Sequence, residues 1–281
     1  MKDSAPGTPA ISALIITYNE IENIGRCLAS IDFATEIVVV DSYSTDGTYE
    51  YLLEHPRVRV LRHPFKNFTA QKNFALQHAQ FDWVLFIDAD EVVPPGLGSE
   101  IRNTVANPPA GVNAFWYYRK FMFKGSPIRF SGWQTDKNIR LFRKSKARYS
   151  DQRIVHERLD LEGRSACLSE KLVHYCYKNY SDYKGKMLLY GKLKAHEAFS
   201  RNRKFSYAKL ILKPFWKFFF NYVCRFGFLD GSRGLTLCYL GALEDFQRYR
   251  VLRSTERDFK AAQYSLPTLS KKRYLVSDLA S

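Results

Sequence analysis

Several common signatures are missing from this 281-residue chain, and each absence removes a class of function. No G-x-G-x-x-G follows the first apolar run and no G-x-x-x-x-G-K-[ST] occurs anywhere, so neither a dinucleotide fingerprint nor a P-loop is present. The five cysteines (Cys27, Cys167, Cys176, Cys224, Cys238) are odd in number and form no C-x-x-C pair. A disulfide framework and a structural zinc are therefore not expected, and free thiols in a reducing cytoplasmic compartment are. The start, Met1-Lys2-Asp3-Ser4-Ala5-Pro6, lacks the apolar segment of a secretory signal.

Basic residues are scarce at the front and acidic ones at the back. Residues 1–100 carry 7 Lys/Arg against 14 Asp/Glu, whereas residues 101–281 carry 36 against 14. The acidic part is suited to gathering a metal. The basic part is suited to a phosphate-bearing acceptor, an anionic membrane surface or nucleic acid, unless it is only a solvated face. An apolar fraction of 46% is ample for an ordered core.

Trp83-Val84-Leu85-Phe86-Ile87 reads as one buried strand, and it ends in Asp88-Ala89-Asp90-Glu91. Three carboxylates this close repel one another and are costly to desolvate, which calls for a cation between them. Mg2+ or Mn2+ suits such a site, because each takes oxygen ligands and is commonly held by one or two carboxylates plus substrate phosphates. Two earlier β-branched runs, Ile11–Ile16 and Glu36–Val40, also stop at polar ends, Thr17-Tyr18-Asn19-Glu20 and Asp41-Ser42.

Helical spacing follows the first run (Ile21, Ile24, Leu28, Ile31), with Asn19 as the expected N-cap. Val58–Leu61 reads as a short strand and Asn67–Gln80 as a helix. Apolar strands alternating with helices predict an α/β fold whose parallel sheet is covered on both faces. Ligands bind such sheets beyond the carboxyl ends of the strands, where the three polar ends would converge.

With those motifs in place, the chain resembles the inverting glycosyltransferases of family 2, which have the GT-A fold, and within them the branch containing lipopolysaccharide core β-1,4-glucosyltransferases. The resemblance is carried by Ile16-Thr17-Tyr18-Asn19-Glu20, Val39-Val40-Asp41-Ser42-x-Ser44-Thr45-Asp46-Gly47-Thr48, Gln71-Lys72-Asn73-Phe74-Ala75 and Asp88-Ala89-Asp90-Glu91. Ser131-Gly132-Trp133, Arg140-Leu141-Phe142, Val155-His156-Glu157 and Gly227-Phe228-Leu229-Asp230-Gly231 extend it over most of the chain. Tyr43 stands where the family commonly has glycine.

The resemblance implies that Thr17, Tyr18, Glu20 and Asp41 hold the uracil and ribose of a UDP-sugar, and that Lys72 approaches the nucleotide. It further implies that Asp88 meets ribose and supports the metal, that Asp90 carries the metal, and that Glu91 is the least essential of the three.

Beyond residue 110 the texture becomes aromatic. Ala114–Phe123, Asn138–Phe142 and Arg153–His156 are strand candidates, and the acceptor half is expected here. An inverting transfer needs a base opposite the leaving diphosphate; Glu157 is the first candidate and Asp136 the second. His156 is a candidate metal ligand, against the commoner alternative of a structural histidine.

The last third reads as basic helices, with Asp182–Arg203 carrying six Lys/Arg. In Lys213–Phe226, helical spacing aligns Lys213, Lys217, Asn221 and Arg225 as a polar stripe on an aromatic cylinder too short to span a bilayer. That segment would either lie in an anionic headgroup layer or pack on a neighbour such as Leu235–Tyr249, as core or dimer interface.

The expected organisation is therefore a GT-A catalytic domain over 1–178 (nucleotide-binding 1–110, acceptor-binding 111–178) and a helical extension over 179–281. The expected enzyme is cytoplasmic, peripheral on the inner face of the inner membrane, and uses a nucleotide-sugar donor with a glycolipid or oligosaccharide acceptor; homo-oligomer formation is open. A nucleotidyltransferase would share the acidic metal site. A nucleic-acid-binding protein would explain the basic part but leave the acidic strand ends without a purpose.

Overall fold

The computed structural model describes residues 10–133, 137–150, 159–177 and 179–265. The chain divides into two compact units, Met1–Asn179 and Tyr180–Ser281.

In the first unit β1 (Ile11–Thr17), α1 (Ile21–Ser30), β2 (Glu36–Asp41), α2 (Thr48–Glu54), β3 (Val58–Arg62), α3 (Phe68–Gln77) and β4 (Trp83–Asp88) alternate as the apolar runs predict. They are followed by β5 (Glu91–Val92), α4 (Pro95–Ala106), β6 (Val112–Phe123), β7 (Ser126–Ile128) and β8 (Lys137–Arg143). Last come β9 (Ala147–Tyr149), β10 (Leu159–Leu161), β11 (Arg164–Cys167) and β12 (Leu172–Tyr177). The expected Arg153–His156 strand lies outside the described residues.

The main sheet runs β3-β2-β1-β4-β8-β6-β12-β5, with β7 and β11 also pairing with β6. β3, β2, β1 and β4 are mutually parallel, and β8 is antiparallel to both β4 and β6. Alternation along each strand sorts the core onto two faces. Ala13, Ile15, Ile37, Val39, Leu85 and Ile87 pack with Ile24 and Leu28 of α1, Leu52 of α2 and Ile101 of α4. Leu14, Val38, Val40, Val84 and Phe86 pack with Ala75 and Leu76 of α3 on the other face. Both faces are covered, which is why these strands read as unbroken apolar runs.

Two local expectations are revised. Glu20, not Asn19, occupies the N-cap position of α1, its carbonyl accepting from Asn23 N and Ile24 N. Asn19 is left-handed, and its side-chain oxygen instead accepts from Thr45 N at 2.8 Å. Asp46 ties the same loop to the start of α1, accepting from Ile21 N at 3.1 Å and Thr48 N at 3.0 Å. Desolvation opposes ionisation of Asp46, but these hydrogen bonds win and hold its carboxyl below the usual range. Tyr43 sits at φ +63°, the left-handed conformation that glycine adopts freely. Arg62 lies over the Tyr43 ring at 5.6 Å and over Tyr49 at 3.5 Å, a stacking that offsets part of the strain.

The second unit holds α5 (Tyr180–Ser200), α6 (Tyr207–Phe219) and α7 (Gly231–Ser265). Gly191 of α5 permits a close crossing with α7, since a Cβ there would meet the Glu244 carbonyl oxygen at 2.6 Å. The expected single helix over 213–226 is interrupted: after Phe219 the backbone widens into a π turn (Phe220–Cys224) and then a 3-10 turn (Gly227–Asp230). The four-residue polar stripe is broken with it. Lys217 does not face outward; its Nζ donates to Glu244 Oε2 at 2.7 Å, and Lys194 of α5 binds the other carboxylate oxygen. One buried glutamate thus joins three helices. Burial works against its charge, but Lys217 and Lys194 together hold its carboxyl below the usual range.

Glu244→Gln is expected to lower stability by about 1–3 kcal/mol, the low end for a broken buried pair because both lysines are partly solvated. A carboxylate with a depressed folded-state pKa contributes stability above its unfolded pKa and loses it as pH falls. The gap in Tm between wild type and variant should therefore be widest near pH ~7 and close below pH ~4.

Candidate active site

Strand register brings the predicted nucleotide residues together. Thr17 lies opposite Asp41 across the β1–β2 pair, and Ile16 lies opposite Asp88 across β1–β4. Neighbouring strands are ~4.8 Å apart, so all three lie along the carboxyl edge of the parallel strands, Thr17 and Asp41 in line on one face and Asp88, paired with Ile16, at the rim of the other. Thr17 is buried, and its Oγ1 has no hydrogen-bond partner among the described residues. A buried hydroxyl without a partner at a substrate edge is suited to a ligand. Tyr18 is exposed beside it, while the Glu20 carboxylate accepts from Asn23 Nδ2 at 2.6 Å.

Asp41 is wholly buried, its Oδ1 accepting from Ser44 N at 3.1 Å and its Oδ2 from the Ser44 hydroxyl, with Arg62 Nε 3.8 Å away. Those contacts orient the carboxylate and leave it acceptor capacity for a donor group on a ligand. Lys72 is buried on α3, its Nζ 5.5 Å from the Phe86 ring and 5.2 Å from that of Tyr149. Its charge reaches Asp88.

The acidic tail of β4 is organised by a residue to which the sequence gives no role. The guanidinium of Arg140, on β8, grips both carboxylate oxygens of Asp88 and contacts Glu91 Oε1 at 3.2 Å. Arg119, on β6, reaches the same Glu91 oxygen at 3.1 Å, and Glu91 Oε2 accepts from Asp88 N at 2.9 Å. Burial disfavours the Asp88 carboxylate, but the Arg140 charge outweighs it and holds the group well below the usual range. Burial pushes the Glu91 carboxyl up, and the guanidiniums of Arg140 and Arg119 counter it in part. Glu91, expected to matter least of the three, is instead fully buried and closes the turn between β4 and β5. A lone arginine inside an apolar strand, Ile139-Arg140-Leu141-Phe142, was the signal available in the sequence.

Asp90 points elsewhere. Its Oδ2 lies 3.3 Å from Nε2 of His174, and its carbonyl accepts from Tyr175 N at 2.9 Å. His174 sits on β12 opposite Glu91, and the Phe121 ring, stacked on Trp133 at 4.1 Å, meets its imidazole edge-on. Sequence reading offered His156 as a candidate metal ligand against the commoner structural role; His156, Glu157 and Asp136 lie outside the described residues, and His174 is the described histidine beside Asp90. Among the described residues no group of three or more His, Cys, Asp or Glu could hold a metal. Asp90 and His174 supply one carboxylate oxygen and one imidazole nitrogen, a pair that suits Mn2+ better than Mg2+, whose preference is for oxygen alone.

Comparison with known proteins identifies the family. Over 86% of its length the chain is 29% identical to the lipopolysaccharide core biosynthesis glycosyltransferase LpsC of Rhizobium meliloti, of which 93% is covered. An uncharacterized glycosyltransferase of Rickettsia conorii is 28% identical over 88% of this chain and 91% of its own. Among solved structures, S. aureus TarS 1–349 is 18% identical over 89% of this chain and 92% of that one, with a TM-score of 0.44. The model of glycosyl transferase family 2 matches residues 12–160, which hold the strand ends, the Arg140 clamp and Asp90. With a mixed α/β sheet of the GT-A kind and that match over more than half its length, the chain belongs to glycosyl transferase family 2 and is a glycosyltransferase.

Proposed function

We propose that this enzyme transfers a hexose from a UDP-linked donor such as UDP-glucose to a hydroxyl of a cell-surface glycolipid or lipopolysaccharide core, with inversion and without a covalent intermediate. The observation that carries the reading is the gathering of Thr17, Asp41 and Asp88 at three adjacent strand ends along one edge, with the Asp90–His174 pair just beyond β4. The name of the Rhizobium relative supports the acceptor class. A membrane-borne acceptor places the enzyme at the cytoplasmic face of the inner membrane.

Thr17, Tyr18, Glu20 and Asp41 bind base and ribose. Asp88, held by Arg140, presents an oriented carboxylate to the ribose, and Lys72 adds positive charge beside the nucleotide. Asp90 and His174 would hold a divalent cation, which when bound would supply positive charge for the leaving diphosphate. Asp88, already occupied by a guanidinium, supports that site by position. Glu157 takes the proton of the attacking acceptor hydroxyl, with Asp136 the second candidate for that role.

A thermal-shift screen of nucleotide sugars with and without Mn2+ tests the donor and metal assignments together, because a ligand at a hundredfold excess over its Kd stabilises the fold by about 2.7 kcal/mol. One UDP-sugar is expected to raise Tm with Mn2+ present, and Asp90→Asn or His174→Ala to abolish the metal-dependent part. A full Mn2+ response in both variants would remove the metal from this pair. Glu157→Gln should stop transfer while the donor shift persists; loss of donor binding would move Glu157 to the nucleotide site.

Arg140→Leu leaves buried Glu91 with Arg119 as its remaining cation and half-buried Asp88 without one, and a stability loss of about 1–3 kcal/mol is expected in urea unfolding, below the full cost of a broken buried pair because Asp88 is partly solvated. A loss below about 1 kcal/mol would show that Arg119 alone suffices.

A further inference from the structure

α6 is amphipathic in the reverse of the usual sense. Its half-buried positions, Leu210, Pro214, Lys217 and Phe218, recur at helical spacing, and Lys217 spends its charge on buried Glu244. The opposite face carries Ile211 (67% exposed), Leu212, Phe215 (65%), Trp216 (57%), Phe219 and Phe220. Phe226, Phe228 and Leu229, in the turns that follow, are exposed as well. No residue of α6 is fully buried. A soluble helix turns such a stripe to its core and its lysines to water. Here the arrangement is inverted, and a continuous aromatic surface of this kind marks an interaction site.

The rim of that surface is cationic. Residues 203–233 contain seven Lys/Arg and a single acidic residue, Asp230. Six of the seven, Arg203, Lys204, Lys209, Lys213, Arg225 and Arg233, are exposed, and Lys217 alone is turned inward. Among the described residues no helix is long and apolar enough to cross a membrane, so the surface lies on its target instead of spanning it.

We propose that the exposed face of α6 and the turn after it insert into the headgroup layer of an anionic lipid bilayer. Phe215, Trp216 and Phe219 supply the apolar area that enters the boundary between headgroups and acyl chains. The surrounding lysines and arginines pair with lipid phosphates. Lipid fits better than a second copy of the chain, because a self-complementary interface would bring two rims of the same charge together. This deepens the lipid-linked acceptor reading above, yet it is testable without donor or acceptor.

The full-length protein is sedimented with vesicles of phosphatidylethanolamine and phosphatidylglycerol, and with vesicles of phosphatidylcholine alone. Strong retention on the anionic vesicles is expected, weakening at high salt. Ile211→Asp with Phe215→Asp should reduce it by ~10-fold or more, while the circular dichroism spectrum and Tm stay as in wild type. Should that variant fold poorly, Trp216→Phe replaces it: quenching of tryptophan emission by brominated lipid, present in wild type, should be largely lost. Equal retention on both vesicle types, or retention unchanged in the double variant, overturns the proposal. So does a dimer in sedimentation equilibrium that the double variant dissolves, with no vesicle retention, since that assigns the face to self-association. Transfer to a soluble oligosaccharide acceptor, measured in parallel, fails only if the glycosyltransferase reading fails.

Discussion

The guanidinium of Arg140 is the interaction on which the active edge depends. β4 ends in three acidic positions within four residues, and of these Glu91 is fully buried while Asp88 lies half-buried beside it. Without a cation between them, desolvation and mutual repulsion would drive at least one to protonate or swing out. Arg140 enters from β8, antiparallel to β4, and satisfies both. The turn can then be tight enough for Glu91 to accept the Asp88 amide, and β5 can pair with β12. Asp90 is left as the acidic side chain of the three that Arg140 does not take, and the β5–β12 pairing delivers His174 to it. One buried charge thus divides the acidic cluster into a pair held by arginine and a third carboxylate held by histidine.

That division also accounts for what could be read in the chain beforehand and what could not. β1 through β4 were legible because a sheet covered on both faces demands unbroken apolar runs, and their polar ends are conspicuous against that background. That Thr17, Asp41 and Asp88 share one sheet edge followed from the parallel order of the strands. The cation expected among the carboxylates was read as a metal, and for Asp88 and Glu91 it is an arginine fifty residues away. Sequence spacing carries no information on such a partner, since β8 reaches β4 only through the mixed order of the sheet. His174 was hidden for the same reason. In sequence it is a lone histidine in an apolar strand, and only the short antiparallel pairing of β5 with β12 gives it a place beside Asp90.

Tyr43 shows how the fold tolerates a local conflict. A left-handed residue with a large side chain is strained by roughly 1–2 kcal/mol, and the loop could have lost the geometry that presents Asp41. The Ser44 amide and hydroxyl bind Asp41 from within the loop, Asp46 anchors its far end to α1, and Arg62 stacks against Tyr43 and Tyr49. The loop is therefore determined at both ends, and a departure from glycine between them is absorbed.

The two readings of the aromatic helix share one physical basis. Packing against α7 and facing an apolar environment looked like alternatives so long as a single polar stripe was assumed to mark the wet side. Glu244 reverses that assumption: a buried carboxylate must be matched, the stripe lysine Lys217 turns inward to match it, and Lys194 joins from α5. Once the polar side of α6 is consumed by an internal ion pair, its aromatic side has only the outside to face. Exposed apolar area of that size is unfavourable in water and favourable at a lipid boundary. The same salt bridge that closes the helical unit therefore sets which surface that unit leaves exposed, the surface proposed above to meet lipid.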